Sequence, residues 1–127
     1  MSSEKGFSLI ENLVAMVVLG IIGVVVLSAI TMAARSNIIS DEITTAENLA
    51  RNQMDYVQDL PYDSGNNPPV YGLIADIPTG YTIVVSAARL NPENSDKEED
   101  HGIQQIDVTI SRGDKTINNL TDYKVNR

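Results

Sequence analysis

The chain has 127 residues, 43% of them hydrophobic and 5% aromatic, with 17 acidic against nine basic side chains and a net charge of −8. It has no cysteine and a single histidine, His101, which excludes disulfides, thiolate metal sites, His-pair metal sites and cysteine nucleophiles. The basic residues are scattered without stripe or cluster, so direct binding of nucleic-acid phosphates has no footprint, and no nucleophile–base pair or metal constellation points to an enzyme.

The apolar residues are concentrated near the N-terminus. Asn12 to Ala34 contains no charged residue. At ~1.5 Å rise per residue such a run makes a helix of about 34 Å, enough to cross the ~30 Å hydrocarbon core of a bilayer. Only the residues from Arg35 onward remain for a globular part, and a core of that size is modest. A secretory signal peptide fits poorly: the apolar run is too long, Glu4 offsets Lys5, and Thr31-Met32-Ala33 is at best a tolerable cleavage site. A plain membrane anchor fits the length but leaves Glu11 unexplained, unless that carboxylate simply lies among the headgroups. An acid at the edge of an apolar span otherwise needs a partner.

The residues around it supply a sharper reading. Lys5-Gly6-Phe7-Ser8-Leu9-Ile10-Glu11 resembles the class III leader of type IV prepilins and of the pseudopilins of type II secretion. In that family a short hydrophilic leader ends in Gly, the mature chain opens with Phe or Met, and a Glu stands fifth before an apolar helix. The continuation Leu13-Val14-Ala15-Met16-Val17-Val18-Leu19 is most similar to minor pilins of the PilV type and their type II secretion counterparts. The resemblance covers residues 5 to about 35 and is only architectural beyond. It implies cleavage by prepilin peptidase between Gly6 and Phe7, methylation of the new Phe7 amine, and pairing of Glu11 with the Phe7 amine of a neighbouring subunit during filament assembly. Both charges are costly alone in a low-dielectric setting and much less so together.

Within the helix, Gly20 and Gly23 are small sites where a second helix can approach, or ordinary small residues of a span. Many pilins carry a mid-helix proline; here none precedes Pro61. Lys5 and the amino terminus flank one side, while Arg35 is soon followed by Asp41, Glu42 and Glu47, which places the N-terminus inside and the domain outside.

Beyond the span, Ile39, Ile43, Ala46, Leu49, Ala50, Met54, Val57 and Leu60 recur at steps of three and four, an apolar stripe on a helix. No Gly or Pro interrupts Arg35 to Leu60, so the spacing predicts one helix from Phe7 to Leu60, about 80 Å long, stopped at Leu60-Pro61. Asp63-Ser64-Gly65-Asn66-Asn67-Pro68-Pro69 is a turn-rich connection. Strands are expected over Tyr81 to Leu90, over Ile103 to Ser111, and over Lys115 to Val125 with Ile117, Tyr123 and Val125 on one parity. Gly113-Asp114 reads as the two-residue loop of a hairpin. The expected fold is α+β and type IV pilin-like: a long helix, half transmembrane and half amphipathic, packed on an antiparallel sheet of about three strands that covers Ile39 to Leu60. The segments are a leader at 1–6, a transmembrane or filament-core helix at 7–34, its amphipathic continuation at 35–60 and a small β domain at 61–127.

Three local features invite other readings. The stretch Asn91 to Gly102 concentrates Glu93, Asp96, Glu98, Glu99 and Asp100. Asp96, Glu98, Glu99 and Asp100 are hard oxygen ligands that would suit calcium, but the spacing is not that of an EF-hand, and a solvated acidic loop is the plainer account; no other cofactor is expected. Arg112-Gly113-Asp114 spells an integrin-type tripeptide where a hairpin needs a turn, and Asn119-Leu120-Thr121 matches a glycosylation sequon by accident. The leading expectation is a structural minor pilin: inserted once in the cytoplasmic (inner) membrane, held in lipid, then moved into an extracellular or periplasmic filament. Its partners would be prepilin peptidase, the pilus assembly platform and other pilin subunits. A pseudopilin of a type II secretion or DNA-uptake system shares the same leader and fold. A monomeric, membrane-anchored binding module with a calcium-binding acidic loop is the alternative of another class.

Overall fold

The computed structural model describes residues 8–91 and 99–127. It contains one helix, α1 (Leu9–Asp59), and three strands, β1 (Tyr81–Arg89), β2 (Ile103–Arg112) and β3 (Lys115–Val125). The chain divides into two compact units, Met1–Ser40 and Asp41–Arg127.

In the first unit α1 begins after Ser8, whose carbonyl accepts the amides of Glu11 (2.9 Å) and Asn12 (3.1 Å). Glu11 is the acid of the first turn, where the exposed N–H groups and the helix dipole favour negative charge. The following span is long and apolar enough to cross a membrane, and none of it is buried within the chain.

In the second unit the rest of α1 supplies one wall of the core. Its buried apolar positions, Ala46, Leu49, Ala50, Met54 and Val57, follow the helical period, so they fall on one face. They pack against Ile83 and Ala87 of β1 and Ile106, Val108 and Ile110 of β2. Burial along the helix starts at Ala46, later than the stripe implies: Ile39 and Ile43 stay 52% and 45% exposed. The helix stops where expected, with Leu60 N still reaching Tyr56 O at 3.2 Å before Pro61.

The sheet is antiparallel in the order β1-β2-β3, so the chain is an α+β protein with one long helix packed on three strands. Alternation is clean in β2, where Gln104, Ile106, Val108 and Ile110 are all buried, as a one-faced sheet requires. Gly113 turns the β2–β3 hairpin at φ +59°, a left-handed conformation that a side chain would strain. β3 departs from the expected parity. An irregularity at Ile110/Ser111, which pair with Asn118 and Thr116, leaves Ile117 as an extra residue. Such a bulge exchanges the two faces beyond it. Leu120 and Lys124 therefore stand opposite Val108 and Gln104 on the inner face, while Tyr123 and Val125 are 55% and 50% exposed.

Candidate functional site

Gly6 and Phe7 lie outside the described residues, so the geometry begins at Glu11. Its carboxylate is exposed, and among the described residues no cation lies within ion-pair distance. Around it Leu9 and Ile10 are 84% and 68% exposed. An acid at the positive end of an apolar helix, with no counter-charge among the described residues, is favoured by the helix dipole alone. At Gly20 and Gly23 an added Cβ would meet nothing within 4 Å among the described residues. The hydroxyls of the span are turned inward on their own backbone: Ser28 Oγ donates to Val24 O (2.8 Å) and Thr31 Oγ1 to Leu27 O (2.9 Å).

Of the acidic-loop residues, Asp96 and Glu98 lie outside the described residues. Asp100 is engaged in holding the start of β2: its Oδ1 accepts the Tyr62 hydroxyl at 2.6 Å and the Gly102 amide at 2.9 Å. Glu99 lies 4.0 Å from His101. Among the described residues no three histidines or acids converge on a point where a metal would sit. Burial pushes the Tyr62 phenol well above its usual range, and the hydrogen bond to Asp100 and its charge push the same way.

A cluster that the sequence pattern did not reveal ties the turn-rich segment to both helix and sheet. Gln53, fully buried on α1, donates to Gly72 O (2.8 Å) and accepts the Ile74 amide (2.9 Å). Asp63 gathers four donors: the amides of Gly65, Asn66 and Val70 and the Asn66 side chain. The Val70 amide and then the Asn66 side chain hold its carboxyl below the usual carboxylate range. Gln104 of β2 donates to Asp63 O at 2.7 Å and accepts the Tyr71 hydroxyl. Burial raises the Tyr71 pKa, and the charges of Asp63 and Asp100 add to it. Arg89 at the end of β1 donates to Ser64 O (2.9 Å) and Asn66 O (3.0 Å). Every one of these contacts satisfies main chain or a neighbour in the same knot, which is the pattern of a fold-holding network. Polar residues on an otherwise apolar face, Gln53 and Gln104, are the one local signal that could have marked it.

The Arg-Gly-Asp tripeptide is likewise turned to internal use. The Arg112 guanidinium pairs with Glu42 of α1 and lies 5.4 Å from the centre of the Tyr81 ring. Beside the knot, Gln58, Pro61, Tyr62, Tyr123 and Arg127 line an open groove of about 410 Å³. It contains no pair of groups suited to acid–base or nucleophilic work.

Residues 1–27 match the prokaryotic N-terminal methylation motif. No curated protein and no solved structure shows a significant match to the chain. The motif, the unburied apolar helix behind it and the α+β domain together make the chain similar to the precursor of a type IV pilin-like or pseudopilin subunit, a kind of protein that is processed by prepilin peptidase and assembles with other pilin subunits.

Proposed function

We propose that the protein is a structural minor pilin. Prepilin peptidase cuts its precursor after Gly6 and the Phe7 amine is methylated. The subunit is then stored as a single-pass protein of the cytoplasmic membrane, with the N-terminus inside. On assembly the helix leaves lipid for the helices of neighbouring subunits, and Glu11 pairs with the Phe7 amine of one of them. The observation that carries this reading is the coincidence of the methylation motif at residues 1–27 with an apolar stretch of α1 that is not buried within the chain. A helix that exposes Leu9, Met16 and Leu27 by 84%, 76% and 67% needs lipid or other helices to cover it.

The acidic domain stays in water and needs no disulfide; the Gln53–Asp63–Gln104 knot does the fastening. A pseudopilin of a secretion or DNA-uptake machine would use the same helix in the same way, and assembly into a surface filament is what separates the two. The test is the intact mass of the protein recovered from its native membrane and from sheared filaments. A chain beginning at Phe7, heavier by one methyl group and present in the sheared fraction, is expected. A full-length chain beginning at Met1, in cells with active prepilin peptidase, would overturn the reading; a processed chain never found outside the cell envelope would favour the pseudopilin.

A further inference from the structure

The two outer strands of the sheet treat their free edges differently. The bond from Leu90 N to Ile103 O, at 2.9 Å, continues the β1–β2 register. Residues of an antiparallel strand alternate between bonding the neighbour and turning away from it, so Ile83, Val85 and Ala87 turn their N–H and C=O groups away from β2. None of these groups has a hydrogen-bond partner among the described residues. There is no charge and no proline from Thr82 to Ala88, and the pairing with β2 is regular throughout. The strand lacks the devices by which an edge is usually defended. On β3 the bond from Asn126 N to Gly102 O, at 2.9 Å, sets the same alternation, and the groups of Asn119, Thr121 and Tyr123 point outward. Those of Tyr123 are taken: its amide donates to Asp122 Oδ1 (2.8 Å) and its carbonyl accepts Gln58 Nε2 (3.2 Å). Those of Asn119 and Thr121 are open among the described residues. The open window of β3 is short, closed at one end by Gln58 and Asp122 and at the other by the bulge at Ile117.

Open main-chain edges of this kind take up an extended strand. β1 and β3 run the same way, because each is antiparallel to β2. Two copies whose α1 segments run alike therefore bring the β1 edge of one to the β3 edge of the next in parallel. An antiparallel pair of β1 strands would turn one domain end over end, which chains inserted in one membrane by one route exclude. In a parallel ladder an outward residue bonds the two residues that flank its opposite number. With Val85 opposite Leu120, the Val85 amide donates to Asn119 O and the Thr121 amide donates to Val85 O. The Asn119 amide then reaches Ile83 O, and the Ala87 amide reaches Thr121 O. A shift of two residues forward calls on the occupied groups of Tyr123, and a shift back runs into the bulge. This register also joins two side chains that one domain covers incompletely: Val85 and Leu120 are half-buried and flank the core. No charged residue lies within 82–88 or 118–121, so no like charges face each other across the ladder.

We propose that the globular domain binds a second copy of this chain edge to edge, the open edge of β1 at Ile83, Val85 and Ala87 adding in parallel to β3 at Asn119 and Thr121. Each contact leaves one β1 edge and one β3 edge free, so it repeats as an open row and does not close in a pair. The proposal rests on the reading of the chain as an assembling subunit. It adds a strand-to-strand contact between domains, separate from any contact of the apolar segment.

The chain has no cysteine, so each introduced thiol is the only one in its molecule. Two differently tagged full-length versions are expressed together in the native cells, and the membrane and sheared filament fractions are treated with a short bifunctional maleimide. Val84→Cys with Asn119→Cys, which the register sets opposite each other, is expected to give the mixed dimer. Val84→Cys with itself, and Val84→Cys with Val125→Cys, are expected to give none. Val85→Pro removes an outward amide and leaves the β1–β2 ladder intact. Added to the Val84→Cys chain, it is expected to lower the mixed dimer about fivefold. Val85→Ala, which keeps the amide, is expected to retain most of the mixed dimer, and Thr121→Pro in the other chain to match Val85→Pro. Protease resistance equal to the parent's checks that the proline variants are folded. No mixed dimer in either fraction, equal dimer in the controls, no effect of the prolines, or Asn119→Cys linked only to a different pilin-like subunit would each overturn the proposal. Intact mass in the same samples keeps the two readings apart. A chain cut after Gly6 alongside any of these results leaves the pilin-like reading standing, whereas an uncut chain sinks that reading and the edge contact with it.

Discussion

Lys124, near the end of β3, caps the helix at Val57: its Nζ donates to Val57 O and to Gln58 O, both at 2.8 Å. The last turn of α1 has no basic residue of its own, so the cation that its unsatisfied carbonyls attract is delivered from a strand 67 residues further along the chain. The ammonium also lies 5.7 Å from the centre of the Tyr71 ring, which joins the cap to the knot around Asp63.

Replacing Lys124 by Met keeps the length and apolar bulk of the side chain and removes the donor. Two carbonyls then lose charge-assisted bonds, and the expected loss of stability is about 1.5–3 kcal/mol, read as a lower urea midpoint. The pH dependence has a definite sign. Burial holds the Lys124 pKa below its usual 10.5, while Asp59 pushes it back up. The folded protein therefore releases this proton at a lower pH than the unfolded chain does. The stability linked to it is present above 10.5 and lost as pH falls through the folded value. The advantage of the parent protein over Lys124→Met should widen as pH climbs through the window just below 10.5. A constant gap from pH 7 to 10.5 would contradict the buried cap.

Gln53 offers a cleaner separation of donor from acceptor. Gln53→Ala strips both Gly72 O and Ile74 N of their partner and is expected to cost about 1–3 kcal/mol. Gln53→Glu retains an acceptor for the Ile74 amide but cannot donate to Gly72 O. Amide exchange at Ile74 should accelerate in the alanine variant and remain slow in the glutamate variant. Equal acceleration in both would show that the amide group of Gln53 matters only for its packing.

Asp63 should resist acid. Its carboxyl is held below 3.8 by the Val70 amide first and the Asn66 side chain next. The stabilisation it contributes is present above the unfolded value and lost as pH falls through the lower, folded one. In a titration followed at the Val70 amide, the midpoint should lie below 3.8, and Asp63→Asn should abolish the transition. A midpoint at or above 3.8 would mean that the four donors do not hold the carboxylate in solution.

Much of this architecture is legible in the amino-acid sequence alone. The stripe from Ala46 to Val57 shows because a helix facing a sheet must repeat apolar residues at its own period; β1 shows because it is rich in β-branched residues, and β2 because its residues alternate. Ile117, Tyr123 and Val125 mislead because parity survives only while pairing is unbroken; one extra residue at Ile117 turns the later side chains over. Gln53 and Lys124 escape notice for a different reason. Polar residues are assigned to water by default, and what makes them exceptions is a set of main-chain atoms 19 to 67 residues distant, which no local window contains. At the N-terminal end the situation is reversed: the motif at residues 1–27 is plain in sequence, while the partners it requires belong to other molecules.

Glu11 is where that requirement is sharpest. Its carboxylate starts a helix whose dipole favours it, yet it has no cation of its own among the described residues. Glu11→Gln preserves the shape, keeps one accepting oxygen and deletes the charge. If Glu11 serves leader recognition, the variant will accumulate uncut. If it serves pairing with a neighbour's amine, cleavage after Gly6 will proceed normally and the mature subunit will stay in the membrane, with the sheared filament fraction reduced at least tenfold, since an unpaired buried ammonium left behind costs several kcal/mol. The pairing reading predicts the second outcome. It also predicts that Glu11→Asp, which keeps the charge on a shorter arm, recovers part of the filament signal that Glu11→Gln loses. Filament incorporation of Glu11→Gln at the parent level would show that the carboxylate is dispensable once the helix is in place.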